Sequence, residues 1–122
     1  MFIVLEGIDG SGKTTIAHWL VGWLRKNGIP AHYTHEPMIK DIETKFKQNL
    51  PDKIDPEIYN AALVSLYTTD RKQHVDLIIN PLLKKGQTVV CDRYYFSTAA
   101  YQGIYFDPLS IMKLNSEFPA PD

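Results

Sequence analysis

The chain has 122 residues, of which 44% are hydrophobic and 22% charged, and its formal net charge is −1. This length suits one domain with one hydrophobic core, and the composition is that of an ordinary globular protein. Proteins that bind nucleic acid or a membrane surface typically carry an excess of basic residues. The near-zero net charge of this chain therefore indicates neither partner. A single cysteine excludes an internal disulfide and a cysteine metal cluster, and no apolar run reaches the ~18 residues of a membrane span.

The N-terminus and the cysteine usage indicate a compartment. Met1-Phe2-Ile3-Val4 lacks the positive segment that begins a signal peptide. Cys91 suits a reducing environment, and we expect it to pack in the core as a small hydrophobe. The prediction is a cytoplasmic protein.

The first motif is a glycine loop between a predicted strand and a predicted helix. Phe2 to Leu5 is a short apolar run that predicts a buried strand, and the following stretch, Gly7-Ile8-Asp9-Gly10-Ser11-Gly12-Lys13-Thr14, fits the P-loop pattern G-x-x-x-x-G-K-[ST]. Its glycines let several backbone N–H groups converge on one anion, and the helix N-terminus adds partial positive charge. We predict that Lys13 contacts the β- and γ-phosphates of a nucleotide and that the Thr14 hydroxyl binds Mg²⁺. The predicted phosphate-binding residues are Gly7, Asp9, Gly10, Ser11, Gly12, Lys13, Thr14 and Thr15.

The helix predicted after this loop runs from about Lys13 to the stop signal Asn27-Gly28. Its apolar residues recur at helical spacing, which predicts that one face packs on a sheet. These residues are Ile16, Ala17, Leu20, Val21, Trp23 and Leu24. Composition favours core packing over ligand stacking for Trp19 and Trp23.

Residues 31–35 predict a second strand that ends at Glu36-Pro37. A short amphipathic helix is expected next, from apolar residues at helical spacing: Ile39, Ile42, Phe46 and Leu50. Asp55 and Pro56 form an N-cap and N1 pair that begins a long helix, which we expect to end before Pro81.

One face of the long helix mixes aromatic, aliphatic and charged residues. The residues on this face are Tyr59, Leu63, Tyr67, Arg71 and His74, with Leu66 and Asp70 beside them. One interpretation is a helix that lines a pocket. The other is a solvated ion pair between Asp70 and His74 beside a core aromatic residue, and the pattern does not separate the two.

A third buried strand is predicted over residues 87–92, with Asp92 at its carboxyl end. In parallel α/β sheets ligands bind beyond the carboxyl ends of the strands, so Asp92-Arg93 and the P-loop should face one crevice. An aspartate that closes an apolar strand in a P-loop protein is placed to bind Mg²⁺. Residues 94–103 then combine aromatic rings, hydroxyls and an amide, which can stack on a base and read its edge. Asp107-Pro108 begins a last predicted helix.

Four segments together resemble the thymidylate kinase family of nucleoside monophosphate kinases. They are FIVLEGIDGSGKTT at 2–15, Thr-His-Glu-Pro at 34–37 in place of T-R-E-P, Asp70-Arg71, and DRYYFSTAAYQG at 92–103. The resemblance implies a P-loop NTPase fold of the nucleoside monophosphate kinase type, with a parallel sheet flanked by helices. Residues 1–122 are then expected to form one P-loop kinase domain, the N-terminal part of the family pattern, with the C-terminal strands and lid absent.

The resemblance also implies roles for individual residues. The catalytic set would be Lys13, Asp92, Arg93 and Asp9, with Thr14 and Asp92 on the metal. The acceptor-binding set would be Asp9 near the 3′-hydroxyl, Tyr67 stacked on thymine, Arg71 on the base, Arg93 on the acceptor phosphate, Tyr101 near the sugar, and Ser97 and Gln102 at the base edge. His35 is a weaker candidate for this set.

The sequence departs from the family pattern at two places. His35 replaces the arginine of T-R-E-P, so either His35 or Lys40 contacts the acceptor phosphate, or His35 is a buried structural histidine. The family also needs a mobile arginine over the γ-phosphate, either at the position of Gly10 or in a lid. Because Gly10 is not basic, the chain resembles the lid type, whose lid would lie beyond Asp122. We expect the 122 residues to bind the acceptor nucleotide and phosphate but to catalyse poorly.

The implied reaction is the ATP- and Mg²⁺-dependent phosphorylation of dTMP to dTDP by a homodimer that contacts neither nucleic acid nor membrane. One alternative is a P-loop kinase for another nucleotide or nucleoside. A second is a truncated, non-catalytic nucleotide-binding module. The absence of an N-K-x-D guanine motif argues against a GTPase.

Overall fold

A computed structural model shows a three-stranded parallel sheet flanked by helices. The strands are β1 (Phe2–Leu5), β2 (Ala31–His35) and β3 (Thr88–Asp92). The helices are α1 (Lys13–Lys26), α2 (Ile42–Lys47), α3 (Pro56–His74), α4 (Asn80–Lys84), α5 (Tyr95–Gln102) and α6 (Pro108–Leu114), with a π-helical turn at Val75–Ile79 between α3 and α4. The strand order is β1-β3-β2, so the last strand in sequence lies at the centre. This arrangement agrees with the predicted α/β class and with all three predicted strands.

The central strand is buried on both faces, which is why it reads as a continuous apolar run. Val90 packs with Ala17 and Val21 of α1 on one face. Val89 and Cys91 pack on the other face with residues of the π-helical turn. Leu5 of β1 and His35 of β2 both pair with Asp92, so the carboxyl ends of all three strands lie at one edge.

The packing of α1 corrects one prediction. Trp19 and Trp23 are 66% and 49% exposed and do not belong to the core. The face that meets the sheet is formed by Ala17, Val21 and Leu24, which belong to the predicted set, whereas Ile16 of that set is 52% exposed. At about 100° per residue, Trp19 and Trp23 lie on the side of the helix away from these three residues, so the indoles face solvent.

The long helical region continues past the expected end. Its path passes from α3 through the π-helical turn into α4, with Pro81 in the first turn of α4. Proline clashes with the carbonyl four residues earlier in a regular α-helix, and a π-helical turn before it changes the local spacing. Pro81 is therefore accommodated within a helical path that continues as α4 to Lys84, whereas α3 itself ends at His74.

The segment before α2 also differs from the pattern. α2 begins at Ile42 and not at Ile39, because the Asp70 carboxylate accepts hydrogen bonds from the backbone N–H groups of Met38 and Ile39. Asp41, at the N-cap, has a φ of 57°. None of the helices combines the length and apolarity that crossing a bilayer requires.

Candidate active site

The P-loop connects the end of β1 to the start of α1. Gly10 and Gly12 have φ angles of 77° and 89°, which residues with a Cβ rarely adopt. Gly12 is the N-cap of α1, and no side chain caps the first N–H groups of this helix. These donors face an open cavity of about 520 Å³, which we call the P-loop cavity. It is lined by Asp9, Gly10, Gly12, Lys13, Thr14, Thr15, Tyr33, His35, Glu36, Asp92 and Arg93, whereas Gly7 and Ser11 lie outside this lining.

The sides of the P-loop cavity carry a cation and a carboxylate. Lys13 Nζ donates to the Ile8 carbonyl at 2.9 Å, so the ammonium group lies against the loop. The Thr14 hydroxyl donates to Asp92 Oδ2. The second oxygen of Asp92, Oδ1, is buried and has no hydrogen-bond partner.

The unpartnered oxygen of Asp92 fits a divalent cation. No group of three or more His, Cys, Asp or Glu side chains converges anywhere in the chain to hold a metal. Mg²⁺ characteristically takes one or two protein carboxylates and completes its octahedron with phosphate oxygens and water. Asp92 with the hydroxyl of Thr14 matches that limited protein contribution.

A second cavity, of about 410 Å³, adjoins the first, and we call it the aromatic cavity. Seven of the predicted acceptor residues line it: Asp9, Tyr67, Arg71, Arg93, Ser97, Tyr101 and Gln102. Tyr59 and Leu63 also line it, as the pocket interpretation of the long helix predicted. Asp9, Glu36 and Arg93 line both cavities, so the two meet at these residues.

Arg93 lies at this junction with an unusual backbone. Its φ is 70°, a left-handed conformation that is uncommon and energetically costly for a non-glycine residue. Its guanidinium donates to Asp9 Oδ1 at 2.6 Å and to Ser97 Oγ at 3.0 Å. The Arg93 Cζ lies 5.6 Å from the centre of the Tyr101 ring. Burial by itself lowers the Arg93 pKa, but the contacts with Asp9 and Tyr101 raise it overall.

Arg71 is fully buried beneath the aromatic cavity, with 2% of its surface exposed. Its Nε donates to Glu36 Oε2 at 2.7 Å, and its two terminal nitrogens donate to Asn115 and Thr98. These three bonds leave two of the five guanidinium N–H groups free, since arginine carries five donors. Arg71 thus forms a buried ion pair and keeps N–H donors free for a ligand.

His74 takes part in the same buried network and not in the predicted ion pair. Its ring nitrogens lie 3.1 Å from Glu36 Oε1 and 2.6 Å from Thr34 Oγ1. Asp70 is occupied by the backbone of the segment before α2. The proposed solvated pair between Asp70 and His74 was therefore wrong, because both side chains are buried and have other partners.

Glu6 is a site residue that sequence reasoning missed. Its carboxylate accepts hydrogen bonds from the Tyr94 backbone N–H at 2.9 Å and from the Ser97 hydroxyl. Ser97 in turn accepts from Arg93, so Glu6 orients Arg93 through one intermediate. The usable signal was position, since Glu6 directly follows β1 at the ligand-binding edge of the sheet.

Glu43 is the second missed residue. Its two oxygens accept hydrogen bonds from the hydroxyls of Tyr59 at 2.9 Å and Tyr67 at 2.7 Å. Burial, followed by these contacts with Glu43, raises the pKa of Tyr59 to about 12 and also raises that of Tyr67. No local pattern reveals Glu43, because its role depends on how α2 packs against α3.

Gln102 presents an unsatisfied group to the aromatic cavity. Its Oε1 is buried without a hydrogen-bond partner, while its Nε2 makes one long contact of 3.4 Å with Asn60. A buried amide oxygen without a donor is costly, and a ligand N–H would satisfy it.

His35 lies in the P-loop cavity and not in the aromatic cavity. It is exposed, and its Nδ1 is 3.0 Å from the Pro37 carbonyl oxygen. The alternative of a buried structural histidine was therefore wrong. Lys40, the other candidate for a phosphate contact, lines neither cavity.

Comparisons with known proteins give one consistent match. A family model described as thymidylate kinase matches residues 5–122. The chain is 39% identical over 121 residues to a thymidylate kinase of Desulfotalea psychrophila, with 98% of this chain and 59% of that protein covered. It is 42% identical over 123 residues to a probable thymidylate kinase of Staphylothermus marinus, with 99% and 59% covered.

A solved structure shows the same similarity at the level of the fold. The crystal structure of thymidylate kinase from Ehrlichia chaffeensis matches with a TM-score of 0.82 and 32% identity, covering 100% of this chain and 72% of that chain. The chain spans 59% of the length of the two curated relatives described above.

Proposed function

Because the chain belongs to the thymidylate kinase family, we propose that it acts in the ATP-dependent phosphorylation of dTMP to dTDP. The observation that carries the proposal is the junction of two cavities at Asp9 and Arg93. The P-loop cavity has hydrogen-bond donors that can bind a triphosphate. The aromatic cavity has aromatic rings and amides that can bind a nucleoside. Two substrates bound in this way bring donor and acceptor phosphates together.

On the donor side, Lys13 and the uncapped N–H groups of α1 would bind the ATP phosphates. Asp92 and Thr14 would hold Mg²⁺, which would supply neutralisation of the phosphate charge. An oxygen of the dTMP phosphate forms the new bond to the γ-phosphorus while the bond to the β–γ bridging oxygen breaks, and ADP leaves. The attacking oxygen is already ionised near pH 7, so no general base is required.

On the acceptor side, Arg93 is proposed to hold the dTMP phosphate with a planar, charged donor set. Tyr67 would stack on thymine, and Tyr101 would lie near the sugar with Asp9 at the 3′-hydroxyl. Arg71, Ser97 and Gln102 are proposed at the base edge. Among these, Gln102 has the buried free acceptor and Arg71 has the free donors that such a role needs.

The first test is binding and transfer by the purified chain. We expect calorimetry to detect binding of dTMP and Mg²⁺-dependent binding of ATP at separate sites. A coupled assay for ADP should detect phosphoryl transfer. Binding of dTMP should exceed that of dCMP and AMP in competition. A clear preference for AMP or dCMP would reject thymidylate as the acceptor. Binding of ATP without dTMP binding or transfer would instead support a nucleotide-binding module.

The Lys13→Ala variant tests the donor side. It should abolish measurable transfer and weaken ATP binding, because the lysine is the only cation among the P-loop residues. It should leave dTMP binding unchanged. A variant that retains full transfer would contradict the assignment of Lys13.

Assembly and location form part of the same proposal. The family resemblance supports a homodimer in the cytoplasm, without a nucleic-acid partner. Ile58 and Leu77, 63% and 69% exposed on the long helical region, are candidates for the contact between two copies. Sedimentation equilibrium tests the dimer, and a monomer at all concentrations would contradict it.

A further inference from the structure

The aromatic cavity contains a pair of side-chain hydrogen bonds whose role the proposed reaction does not explain. We propose that Glu43 is a positioning residue for the acceptor nucleotide: it fixes the Tyr67 ring and holds α2 at the cavity through a bridge of hydrogen bonds. The Glu43 bridge consists of Glu43, Tyr59 and Tyr67. The inference rests on the proposed function, because it concerns how the same cavity receives its nucleotide.

The first step is the geometry of the bridge. Each oxygen of Glu43 accepts one phenolic O–H, at 2.9 Å from Tyr59 and 2.7 Å from Tyr67. All three residues line the aromatic cavity. The two tyrosines lie eight residues apart on α3, so side chains about two helical turns apart converge on one carboxylate.

The second step is the chemistry of Tyr67. A phenylalanine ring would stack on a base as well as a tyrosine ring does, so stacking leaves the hydroxyl unused. The hydroxyl is bonded to a carboxylate, and bonds to charged acceptors are the stronger kind. The ring is then fixed at both ends, by the α3 backbone and by Glu43, before a ligand arrives.

The third step is the attachment of α2. This helix has only six residues and is too short to be stable alone. Ile42 is buried, and the Phe46 and Tyr59 rings stack with centroids 6.2 Å apart. Glu43 makes the side-chain hydrogen bonds that join α2 to α3. The apolar contacts attach α2, and the bridge sets its position relative to the cavity.

A preset ring should lower the entropy that is lost when a base stacks on it. Loss of the bridge should therefore weaken nucleoside binding while the triphosphate site stays intact, since Glu43 does not line the P-loop cavity. This selectivity separates positioning from general damage to the fold.

The test measures dTMP and ATP binding by calorimetry for single and double variants. We expect Glu43→Ala and Tyr67→Phe each to raise the dissociation constant of dTMP about three- to tenfold, the size of a partly exposed charged hydrogen bond. The ATP dissociation constant should not change. The double variant should be no worse than the weaker-binding single variant, because both remove the same bond.

Three further variants sharpen the result. Glu43→Gln keeps an amide oxygen that can accept one hydroxyl, so it should recover part of the lost affinity. Glu117→Ala and Tyr105→Phe are matched controls at exposed positions that line neither cavity, and they should bind dTMP like the wild type. Thermal unfolding of each variant checks the fold, and Tyr67→Phe removes only a hydroxyl if Glu43→Ala proves unstable.

The outcomes distinguish the two proposals. A wild-type chain that binds dTMP, with variants that bind it equally well, overturns the role of Glu43 alone. Equal weakening of dTMP and ATP, or additive losses in the double variant, also overturns it. A wild-type chain that does not bind dTMP overturns the proposed function, and the role of Glu43 falls with it.

Discussion

Arg71 and Arg93 bring the same charge into different surroundings. Arg71 is buried and forms an ion pair with Glu36, whose side chain is also almost fully buried. Arg93 forms its ion pair with Asp9, whose side chain is 97% exposed. An exposed partner is well solvated and contributes little to stability, whereas a buried partner left alone is costly.

The two arginines should therefore differ in what their loss changes. We expect Arg71→Met to lower the free energy of unfolding by about 3–5 kcal/mol, because it leaves the Glu36 carboxylate buried without its cation. Arg93→Met should change that free energy by less than about 1 kcal/mol but weaken dTMP binding. Urea denaturation and calorimetry measure the two effects. Equal stability of the two variants would contradict the distinction.

His35 allows a gain-of-affinity prediction. It lies in the P-loop cavity with Arg93, in place of the arginine of the family pattern. We expect His35→Arg to tighten dTMP binding about three- to tenfold, because a permanently charged planar donor gains a hydrogen bond to phosphate. Lys40→Ala, outside both cavities, serves as the control and should bind like the wild type. Unchanged affinity in His35→Arg would place the acceptor phosphate elsewhere.

At the scale of the elements, the two helices with aspartate caps begin where the sequence predicts. The side chains of Asp55 and Asp107 accept hydrogen bonds from backbone N–H groups of α3 and α6, and proline follows each cap. Hydrogen bonds from the Ser110 side chain and backbone lower the pKa of Asp107 below its usual 3.8. The native state therefore favours the ionised carboxylate.

This pKa shift predicts a pH dependence. The contribution of Asp107 should be fully present above its unfolded value of 3.8 and be lost as the pH falls through its lower native pKa. We expect Asp107→Asn, which caps without titrating, to show a smaller fall in thermal midpoint than the wild type below that pH. Parallel midpoint curves for the two proteins would show that the cap does not titrate as inferred.

Local patterns predicted the strands, the P-loop and the capped helix starts, because each depends on neighbours in sequence. They failed where packing between distant elements decides. Trp23 fits the apolar helix pattern but is half-exposed, because Ala17, Val21 and Leu24 form the face that meets the sheet. Pro81 signals a helix end, but a π-helical turn accommodates it. Glu43 gains its role only when α2 packs against α3. The sequence therefore singles out Tyr59 and Tyr67 but not their contact with Glu43.

At the scale of the whole molecule, the two cavities meet at Asp9, Glu36 and Arg93 while the rest of their linings differ. Glu36 also belongs to the buried network with Arg71 and His74. Of the three residues at the junction, Glu36 is thus also part of the buried structural network. Binding and stability should therefore be linked.

This linkage predicts stabilisation by either nucleotide. A ligand at 100 times its dissociation constant should add about 2.7 kcal/mol to the free energy of unfolding. We expect dTMP to raise the thermal midpoint of both the wild type and Lys13→Ala, and ATP with Mg²⁺ to raise that of the wild type only. Differential scanning fluorimetry measures both shifts. Loss of the dTMP shift in Lys13→Ala would show that the two sites are not separate.

The buried position of Cys91 allows its thiol to report local opening of the sheet. The thiol is the only one in the chain, lies on the central strand β3 with no exposed surface, and donates to the Arg93 carbonyl. Burial, followed by the charge of Glu36, raises its pKa, so the native thiol carries almost no reactive thiolate. A thiol reagent should then modify Cys91 only when β3 separates from its neighbours. The rate of mass gain in such an experiment reports how often this opening occurs, without any engineered probe.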